Sequence, residues 1–241
     1  MFPLHDTIPS RQLPLVNWLI ILANTVVFIY ELSLSSYELE TLIHIYGLVP
    51  LSITDPEWAK WTGHPTGFAP LLTNMFLHSG WGHFFGNMWT LYIFGDNVED
   101  RMGSFRYLVF YLLTGIVAGL THVFLHADST IPAIGASGAI SGVMAAYMFL
   151  FPHSRIVFFI PLLFLPYFVE LPALLYIGLW FVGQLISGIT VLAITESASG
   201  IAFWAHIGGF IAGAVLYRIF ARKRYRALFG DEYNRSYINY A

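Results

Sequence analysis

The chain has 241 residues, of which 57% are hydrophobic and only 10% charged, and its formal net charge is −3. Soluble domains carry about 25% charged residues, so this composition excludes an ordinary water-facing surface. No basic stripe interleaved with aromatic residues indicates a nucleic-acid partner. The chain also lacks cysteine, which excludes disulfides, thiolate metal sites and a cysteine nucleophile.

Long continuous apolar runs predict membrane-spanning helices, because a segment in lipid must satisfy its own backbone groups. We predict an all-α membrane protein with six spans, at about residues 16–34, 81–98, 105–125, 136–151, 173–193 and 201–220. Residues 156–172 are also apolar, but Pro161, Pro166 and Pro172 interrupt them. We therefore predict an irregular segment there, either packed or lying at the membrane interface.

The distribution of Lys and Arg predicts the orientation of the spans. With six spans, ten of the eleven cations fall on one face, and Lys60 in the first loop is the exception. Both termini are therefore predicted to be cytoplasmic, and residues 35–80 to form a folded interfacial element outside. We expect one membrane domain, residues 1–226, followed by a short polar cytoplasmic tail, residues 227–241.

The start of the fourth span combines a serine with small residues, in the order Gly135-Ala136-Ser137-Gly138. Polar residues inside spans are costly and need an explanation. One interpretation is close helix packing, which small residues permit. The other is a serine nucleophile at a helix start, where free N–H groups can bind an oxyanion. The nucleophile elbow of soluble hydrolases is excluded, because it requires glycine at the position of Ala139.

The sixth span contains a histidine on a face of small residues. His206, Gly209 and Gly213 have the spacing i, i+3, i+7 and so share one side of a helix. This side can pack tightly against a neighbouring helix. His206 is then either a structural hydrogen-bond partner between helices or a general base that takes a proton from a serine hydroxyl.

A third polar group, His78, His83 and Asn87, lies around the start of the second span. His83 and Asn87 are four residues apart and project from one helix face, from which they can donate hydrogen bonds to an oxyanion. The alternative is a metal site that also includes His122 and His126. We expect no metal and no cofactor, because the chain has no His-Glu-x-x-His pattern.

The predicted topology brings the three polar groups to one depth. Even-numbered spans run from outside to inside, and all three groups lie early in such spans. With a rise of about 1.5 Å per residue, each group is expected about 3 to 12 Å below the outer boundary. Water can reach this depth from outside, as hydrolysis requires.

In their order along the chain, these residues resemble the rhomboid intramembrane serine proteases. The matching motifs are His78-x4-His83-x3-Asn87, Gly135-x-Ser137-Gly138 and Ala205-His206-x2-Gly209-x3-Gly213. Phe94-Gly95-x2-Val98-Glu99 resembles the family's exit from the second span, where the glutamate is structural. The resemblance covers roughly residues 14–221, nearly the whole chain.

The resemblance implies a six-helix bundle of rhomboid type with a Ser–His dyad and no aspartate. Ser137 would attack the scissile carbonyl with His206 as its base, while His83, Asn87 and the Ser137 backbone N–H would stabilise the oxyanion. Supporting residues would be His78, Gly135, Gly138, Gly209 and Gly213. Substrates would be transmembrane segments of other proteins in the lipid bilayer, cut near their outer ends. The implied location is the plasma (bacterial inner) membrane, with the active site opening to the outer side.

Two other classes of protein remain as alternatives. A non-cleaving relative would bind transmembrane segments without cutting them, but such relatives lose the serine or the histidine, and this chain has Ser137 and His206. A transporter or proton channel would show repeats and ionisable residues near the midplane. Here the polar groups lie near the outer edge, and no repeat is evident.

Overall fold

The computed structural model of the protein describes residues 2–162, 165–193 and 202–222, and most of these are helical. The helices are α1 (Leu15–Ser33), α2 (Ser36–Tyr46), α3 (Pro50–Thr54), α4 (Pro56–Thr62), α5 (Pro70–Thr73), α6 (Trp81–Met102), α7 (Ser104–Leu125), α8 (Ser137–Leu150), α9 (Ala173–Ala193) and α10 (Phe203–Phe220). A 3₁₀ turn covers Asn74–Phe76, and the strands are β1 (Phe2–Asp6), β2 (Arg155–Leu162) and β3 (Leu165–Pro172). The predicted tail, residues 227–241, lies outside the described residues.

The six predicted spans correspond to α1, α6, α7, α8, α9 and α10, with ends that agree within four residues. By length and composition, four helices of the described part can cross a membrane, namely α1, α7, α10 and the Ala173–Thr190 part of α9. The other two differ in distinct ways. α6 has 22 residues but carries charged residues in its second half, and α8 is apolar but has only 14 residues.

Helix α8 lies at the centre of the bundle, where it packs against α6, α7 and α10. Its residues from 138 to 147 are all buried. Helix α10 approaches it closely because glycines stand at the contact. A side chain at Gly209 would overlap the carbonyl oxygen of Gly138, and one at Gly213 would overlap the carbonyl oxygen of Gly142. The fourth and sixth predicted spans therefore touch along their backbones.

Glu99, near the C-terminal end of α6, connects this helix to the N-terminal ends of α1 and α7. Its carboxylate accepts hydrogen bonds from the backbone N–H groups of Val16 at 3.1 Å and Asn17 at 2.7 Å, and from the hydroxyl of Ser104 at 2.6 Å. The first N–H groups of a helix have no intrahelical acceptor, and α1 has no side-chain cap of its own at Pro14. A carboxylate at this end also complements the helix dipole, so Glu99 of α6 acts as the cap of α1.

The irregular segment that we predicted before α9 is a β-hairpin, so this prediction is wrong, and the mostly helical fold includes a small sheet. Strands β2 and β3 pair antiparallel, and β1 from the chain's N-terminus pairs with the other edge of β2. The β-branched and aromatic residues of β2 favour a strand. Pro161 and Pro166 face each other near the hairpin end, beyond the pairing with β1, and Pro172 ends the edge strand β3. Proline is tolerated at such positions.

The first loop is folded, as predicted. It contains α2 to α5, and α2 begins with a capping box in which Ser35 and Glu38 satisfy each other's backbone N–H groups. Leu48 and Ala133 exchange backbone hydrogen bonds of 3.0 and 2.8 Å. This bridge connects the loop to the segment that precedes α8, so the loop helps to fix the start of that helix.

Strand β1 places the carboxylate of Asp6 between α6 and α8. The Asp6 carboxylate accepts hydrogen bonds from the Tyr147 hydroxyl of α8 and from the Asn97 amide of α6, the latter at 2.9 Å. Burial raises the pKa of Asp6 to about 7, and the nearby Asp96 carboxylate acts in the same direction. The folded protein therefore holds a proton on Asp6 at a pH where the unfolded chain has lost it.

We expect the contribution of Asp6 to stability to be lost as the pH rises from about 4.5 to 7, because ionising buried Asp6 is unfavourable only in the folded state. Buried His78, whose pKa is lowered, contributes in the opposite direction, so the effect of Asp6 is read from a comparison with Asp6→Asn. Each pKa unit corresponds to about 1.4 kcal/mol, so Asp6 should lower the apparent Tm by several degrees over this range. Asp6→Asn should remove this contribution, so its Tm should change more favourably with rising pH than the Tm of the wild type. Thermal unfolding of both proteins in detergent at several pH values tests this, and equal slopes would contradict it.

Candidate active site

Ser137 and His206 form a direct pair across the contact between α8 and α10. The Ser137 Oγ lies 2.7 Å from Nε2 of His206, although the two residues are 69 positions apart. Ser137 is the first residue of α8, and His206 lies in the first turn of α10. The glycine contacts of α10 with α8 bring these two helix starts together. A hydroxyl and an imidazole at this distance have the geometry of a nucleophile and its general base.

The other nitrogen of His206 contacts Gln184, which sequence reasoning missed. Nδ1 lies 2.7 Å from the amide Oε1 of Gln184, a residue of α9. Gln184 is the one amide side chain in the fifth predicted span. The rule that each polar residue inside a span needs an explanation could have identified it. The sequence could not show which helix face would meet His206.

The surroundings of His206 also include an aromatic ring from α9. The centroid of Trp180 lies 6.0 Å from that of His206. Ser141, four residues after Ser137, does not face the histidine, because its hydroxyl donates at 2.6 Å to the Ser137 carbonyl of its own helix. The groups around His206 therefore come from α9 as well as from α8.

His83 and Asn87 face the backbone just before Ser137. Gly135 has a φ of +126°, which favours glycine. A side chain at Gly135 would overlap Nε2 of His83 and contact the amide nitrogen of Asn87. Gly135 is held by a 2.8 Å hydrogen bond from its N–H to the Asn74 carbonyl. The structure thus brings two side chains of the second predicted span to the start of the fourth.

Both side chains have a donor available at this place. The Asn87 amide nitrogen is buried, and among the described residues it has no hydrogen-bond partner. The backbone N–H of Ser79 points to Nδ1 of His83 at 3.4 Å, and an accepting Nδ1 leaves the proton of a neutral imidazole on Nε2. The first N–H groups of α8 are also without an intrahelical acceptor. Donors from two side chains of α6 and from the start of α8 therefore lie near Gly135.

His78 lies one layer behind this group and not at Ser137. Its ring packs edge-on against Phe28, His83 and Phe84, and its backbone N–H donates to the Glu31 carboxylate at 3.1 Å. Burial lowers the pKa of His78 to about 4, and His83 acts in the same direction. A neutral, tightly packed His78 can support His83 but does not reach the serine.

A cavity of about 20 Å³ lies beside Ser137 and Gly135, with His122 in its wall. A single water needs about 10 to 15 Å³ by a comparable measure, so there is room for a water molecule but not for a peptide. His122 also contacts His126, with ring centroids 4.6 Å apart. Among the residues that the structure describes, no three His, Asp or Glu side chains lie close enough together to hold a metal ion.

A helical bundle with several apolar spans defines a multi-pass integral membrane protein. The Rhomboid domain family matches residues 63–223, which is more than half of the chain. The chain therefore belongs to the rhomboid family. This membership replaces the transporter and proton-channel interpretations that the polar residues alone had left open.

Curated relatives of the chain include organellar and bacterial proteins. The chain is 31% identical over 172 residues to the RHOMBOID-like protein 12, mitochondrial, of Arabidopsis thaliana, a match that covers 65% of the chain and 47% of that protein. It is 27% identical over 217 residues to the rhomboid protease AarA of Providencia stuartii, covering 82% and 69%. It is 31% identical over 131 residues to the rhomboid protease GluP of Bacillus subtilis, covering 54% and 23%. In two of these three matches, the chain spans less than half of the relative's length.

Proposed function

We propose that the chain is an intramembrane serine endopeptidase that hydrolyses peptide bonds in or near the outer end of transmembrane segments of other membrane proteins. The observation that carries this proposal is the 2.7 Å contact between Ser137 Oγ and His206 Nε2. Two of the similar relatives are named as rhomboid proteases. The combination of a serine–histidine pair with a membrane bundle supports peptide hydrolysis at the membrane.

In the proposed reaction, His206 Nε2 removes the hydroxyl proton as Ser137 Oγ attacks the scissile carbonyl. Asn87, His83 and the Ser137 backbone N–H stabilise the resulting oxyanion. The intermediate collapses to an acyl-enzyme when the C–N bond breaks, and His206 gives its proton to the leaving amine. A water molecule, deprotonated by His206, then attacks the ester. His206 returns this proton to Ser137 Oγ as the bond from Oγ to the acyl carbon breaks, which releases the new carboxylate and restores the free enzyme.

We propose that all six long helices cross the membrane, with both termini cytoplasmic. Helix α8, with 14 residues, is about 21 Å long at 1.5 Å per residue, whereas the hydrocarbon core is about 30 Å thick. A helix that is short by about 9 Å and surrounded by other helices can begin below the outer boundary. That position would put Ser137 at the bottom of a depression open to outside water.

We further propose one membrane domain, residues 1–226, and a cytoplasmic tail, residues 227–241. The excess of Lys and Arg on the predicted inner face supports this orientation. The plasma (bacterial inner) membrane is our proposal for the location. The relatives include a protein named as mitochondrial and a bacterial protein.

The substrate class follows from what a serine nucleophile requires. A helical peptide bond is shielded by its own backbone hydrogen bonds, so a transmembrane segment must unwind before Ser137 can reach it. Helix-breaking residues lower the free energy required for unwinding. We therefore expect preferred substrates to carry glycine or proline near the outer end of the transmembrane segment.

The small volume of the cavity beside Ser137 favours one alternative, a rhomboid-like protein that binds transmembrane segments without cutting them. A cavity of about 20 Å³ admits no peptide, so cleavage requires the bundle to open. A binding protein would not need this opening at the serine. Turnover of a substrate decides between the two functions.

The test is a cleavage assay in proteoliposomes with a single-span substrate that carries Gly and Pro near its outer end. Wild-type protein is expected to produce a fragment, and Ser137→Ala none. Ser187→Ala provides a matched control, because it removes a serine hydroxyl from α9. A fragment produced equally by Ser137→Ala would refute the proposal, and binding without cleavage by the wild type would favour the alternative.

Asn87→Ala should lower kcat by about 10² to 10³ with little change in KM, because an oxyanion donor acts mainly in the transition state. Asn24→Ala is the matched control, since it removes another buried amide, which donates to Ile20 of its own helix. Steady-state kinetics of the three proteins in detergent measures this. A kcat for Asn87→Ala close to that of Asn24→Ala would remove Asn87 from the oxyanion site.

A further inference from the structure

We propose that Gln184 is a positioning residue that fixes the tautomer and orientation of His206, an inference that rests on the proposed function. His206 is held at both ring nitrogens. Nε2 faces Ser137 Oγ and Nδ1 faces Gln184 Oε1, each at 2.7 Å. The three residues come from α8, α10 and α9, so the arrangement is a product of the folded bundle and of no single helix.

The chemistry requires one particular tautomer. His206 can accept the Ser137 proton at Nε2 only if that nitrogen carries a lone pair, and a neutral imidazole then carries its hydrogen on Nδ1. This N–H needs an acceptor, because a buried donor without a partner is destabilising. The carbonyl oxygen of Gln184 is an acceptor in the required place. The opposite tautomer would direct an N–H at the serine and abolish the base.

Among the described residues, the partner of His206 Nδ1 is the amide oxygen of Gln184 and not a carboxylate. An amide oxygen can orient the ring and accept a hydrogen bond from Nδ1–H. Unlike a carboxylate, it places no formal charge in α9, which is predominantly apolar. It also gives the ring its angle, because the planar amide holds one edge of the imidazole while the serine holds the other. Gln184 does not touch the reacting atoms, so it acts through His206.

The position of Gln184 also links the dyad to the packing of α9. Near Gln184, α9 contacts α10 through Phe181 and Phe210, whose stacked rings have centroids 4.1 Å apart. Displacement of α9 would remove Gln184 from Nδ1, and His206 would lose its fixed tautomer. The competence of the Ser137–His206 pair therefore depends on the docking of a helix that carries neither member of the pair.

The test compares Gln184→Met, which keeps the length of the side chain without the acceptor, with Gln184→Glu, which keeps an acceptor oxygen. Thr190→Val is the control on the same helix, because the Thr190 hydroxyl donates only within α9, to Ile186 at 2.8 Å. The first readout is the tautomer of His206 by ¹⁵N NMR of histidine-labelled protein, assigned by subtracting the spectrum of His206→Asn. The second readout is kcat and KM.

We expect wild type, Thr190→Val and Gln184→Glu to hold the hydrogen on Nδ1, and Gln184→Met to show a mixture of tautomers. The kcat of Gln184→Met should fall by about 10- to 100-fold at nearly constant KM, since the loss of a group that orients a catalytic histidine acts on turnover. Gln184→Glu should recover most of this loss. Thr190→Val should unfold like the wild type, and Gln184→Met should unfold at a somewhat lower temperature, because it leaves the buried Nδ1 hydrogen without an acceptor.

Three results would overturn the proposal. A wild-type His206 that carries its hydrogen on Nε2 would show that Gln184 selects the wrong tautomer. A Gln184→Met protein with an unchanged tautomer and kcat would show that the contact has no role. Equal losses of kcat and stability in Gln184→Met and Gln184→Glu would indicate a structural contact only. If the wild-type protein cuts no substrate, the proposed function is refuted instead. The NMR measurement needs no substrate, so it still decides the role of Gln184.

Discussion

His206→Ala should reduce the cleavage of a single-span substrate by about 10⁴-fold or more, because removal of the base from an activated serine costs nearly as much as removal of the serine itself. Ser137 Oγ would lose the Nε2 acceptor at 2.7 Å. His153→Ala is the matched control, since His153 is an exposed histidine between α8 and β2. Fragment formation in proteoliposomes measures the effect.

This prediction separates chemistry from folding if the stability of His206→Ala is measured beside its activity. We expect its thermal unfolding to stay within a few degrees of the wild type, since the Gly209 and Gly213 contacts of α10 remain. Cleavage within tenfold of the wild-type rate would contradict the assignment of His206. A large loss of stability would call for His206→Gln, which keeps a polar side chain of similar size and should also be inactive.

Gly209→Ala should both destabilise the protein and inactivate it. The added methyl group would overlap the Gly138 carbonyl oxygen. This atom belongs to the backbone of α8, so it cannot move away as the end of a flexible side chain could. Overpacking of this kind costs about 1 to 3 kcal/mol, or roughly 2 to 12 °C in Tm for a domain of this size. The helices must also separate, which moves His206 from Ser137, so we expect a loss of at least about 100-fold in cleavage.

Gly183→Ala is the matched control for Gly209→Ala. It makes the same substitution in a membrane helix at a position where the new methyl group would meet no atom within 4 Å. Alanine is favoured over glycine in a helix by about 1 kcal/mol, so this variant should be as stable as the wild type or slightly more so. Thermal unfolding and cleavage of both variants give the comparison. Equal behaviour of the two variants would contradict the close contact of α8 and α10.

The helices and the central pair could be predicted because their signals are local. The apolar runs gave the ends of the long helices within four residues. The i, i+3, i+7 spacing of His206, Gly209 and Gly213 indicated a face that packs closely, and the structure places this face against α8. The pairing of that face with Ser137 followed from the order of the motifs along the chain and from the predicted topology.

The sheet and Gln184 could not be predicted in the same way, because each depends on a distant partner. Strand β2 pairs with β1, which is about 150 residues away in the sequence, and an apolar run broken by prolines does not indicate that partner. Gln184 differs from other polar residues of spans only in where its helix face points. That direction depends on the packing of α9 against α10, where Phe181 stacks on Phe210. The spacing of residues in the sequence does not reveal this packing.

The central claim, that Ser137 is a nucleophile activated by His206, is tested most directly by a fluorophosphonate probe, which needs no natural substrate. Wild-type protein and His206→Ala in liposomes are treated with the probe, and the adduct is mapped by mass spectrometry. We predict an adduct on Ser137 in the wild type and at least about 100-fold slower labelling in His206→Ala. An adduct on a different serine, or equal labelling of the two proteins, would contradict the claim.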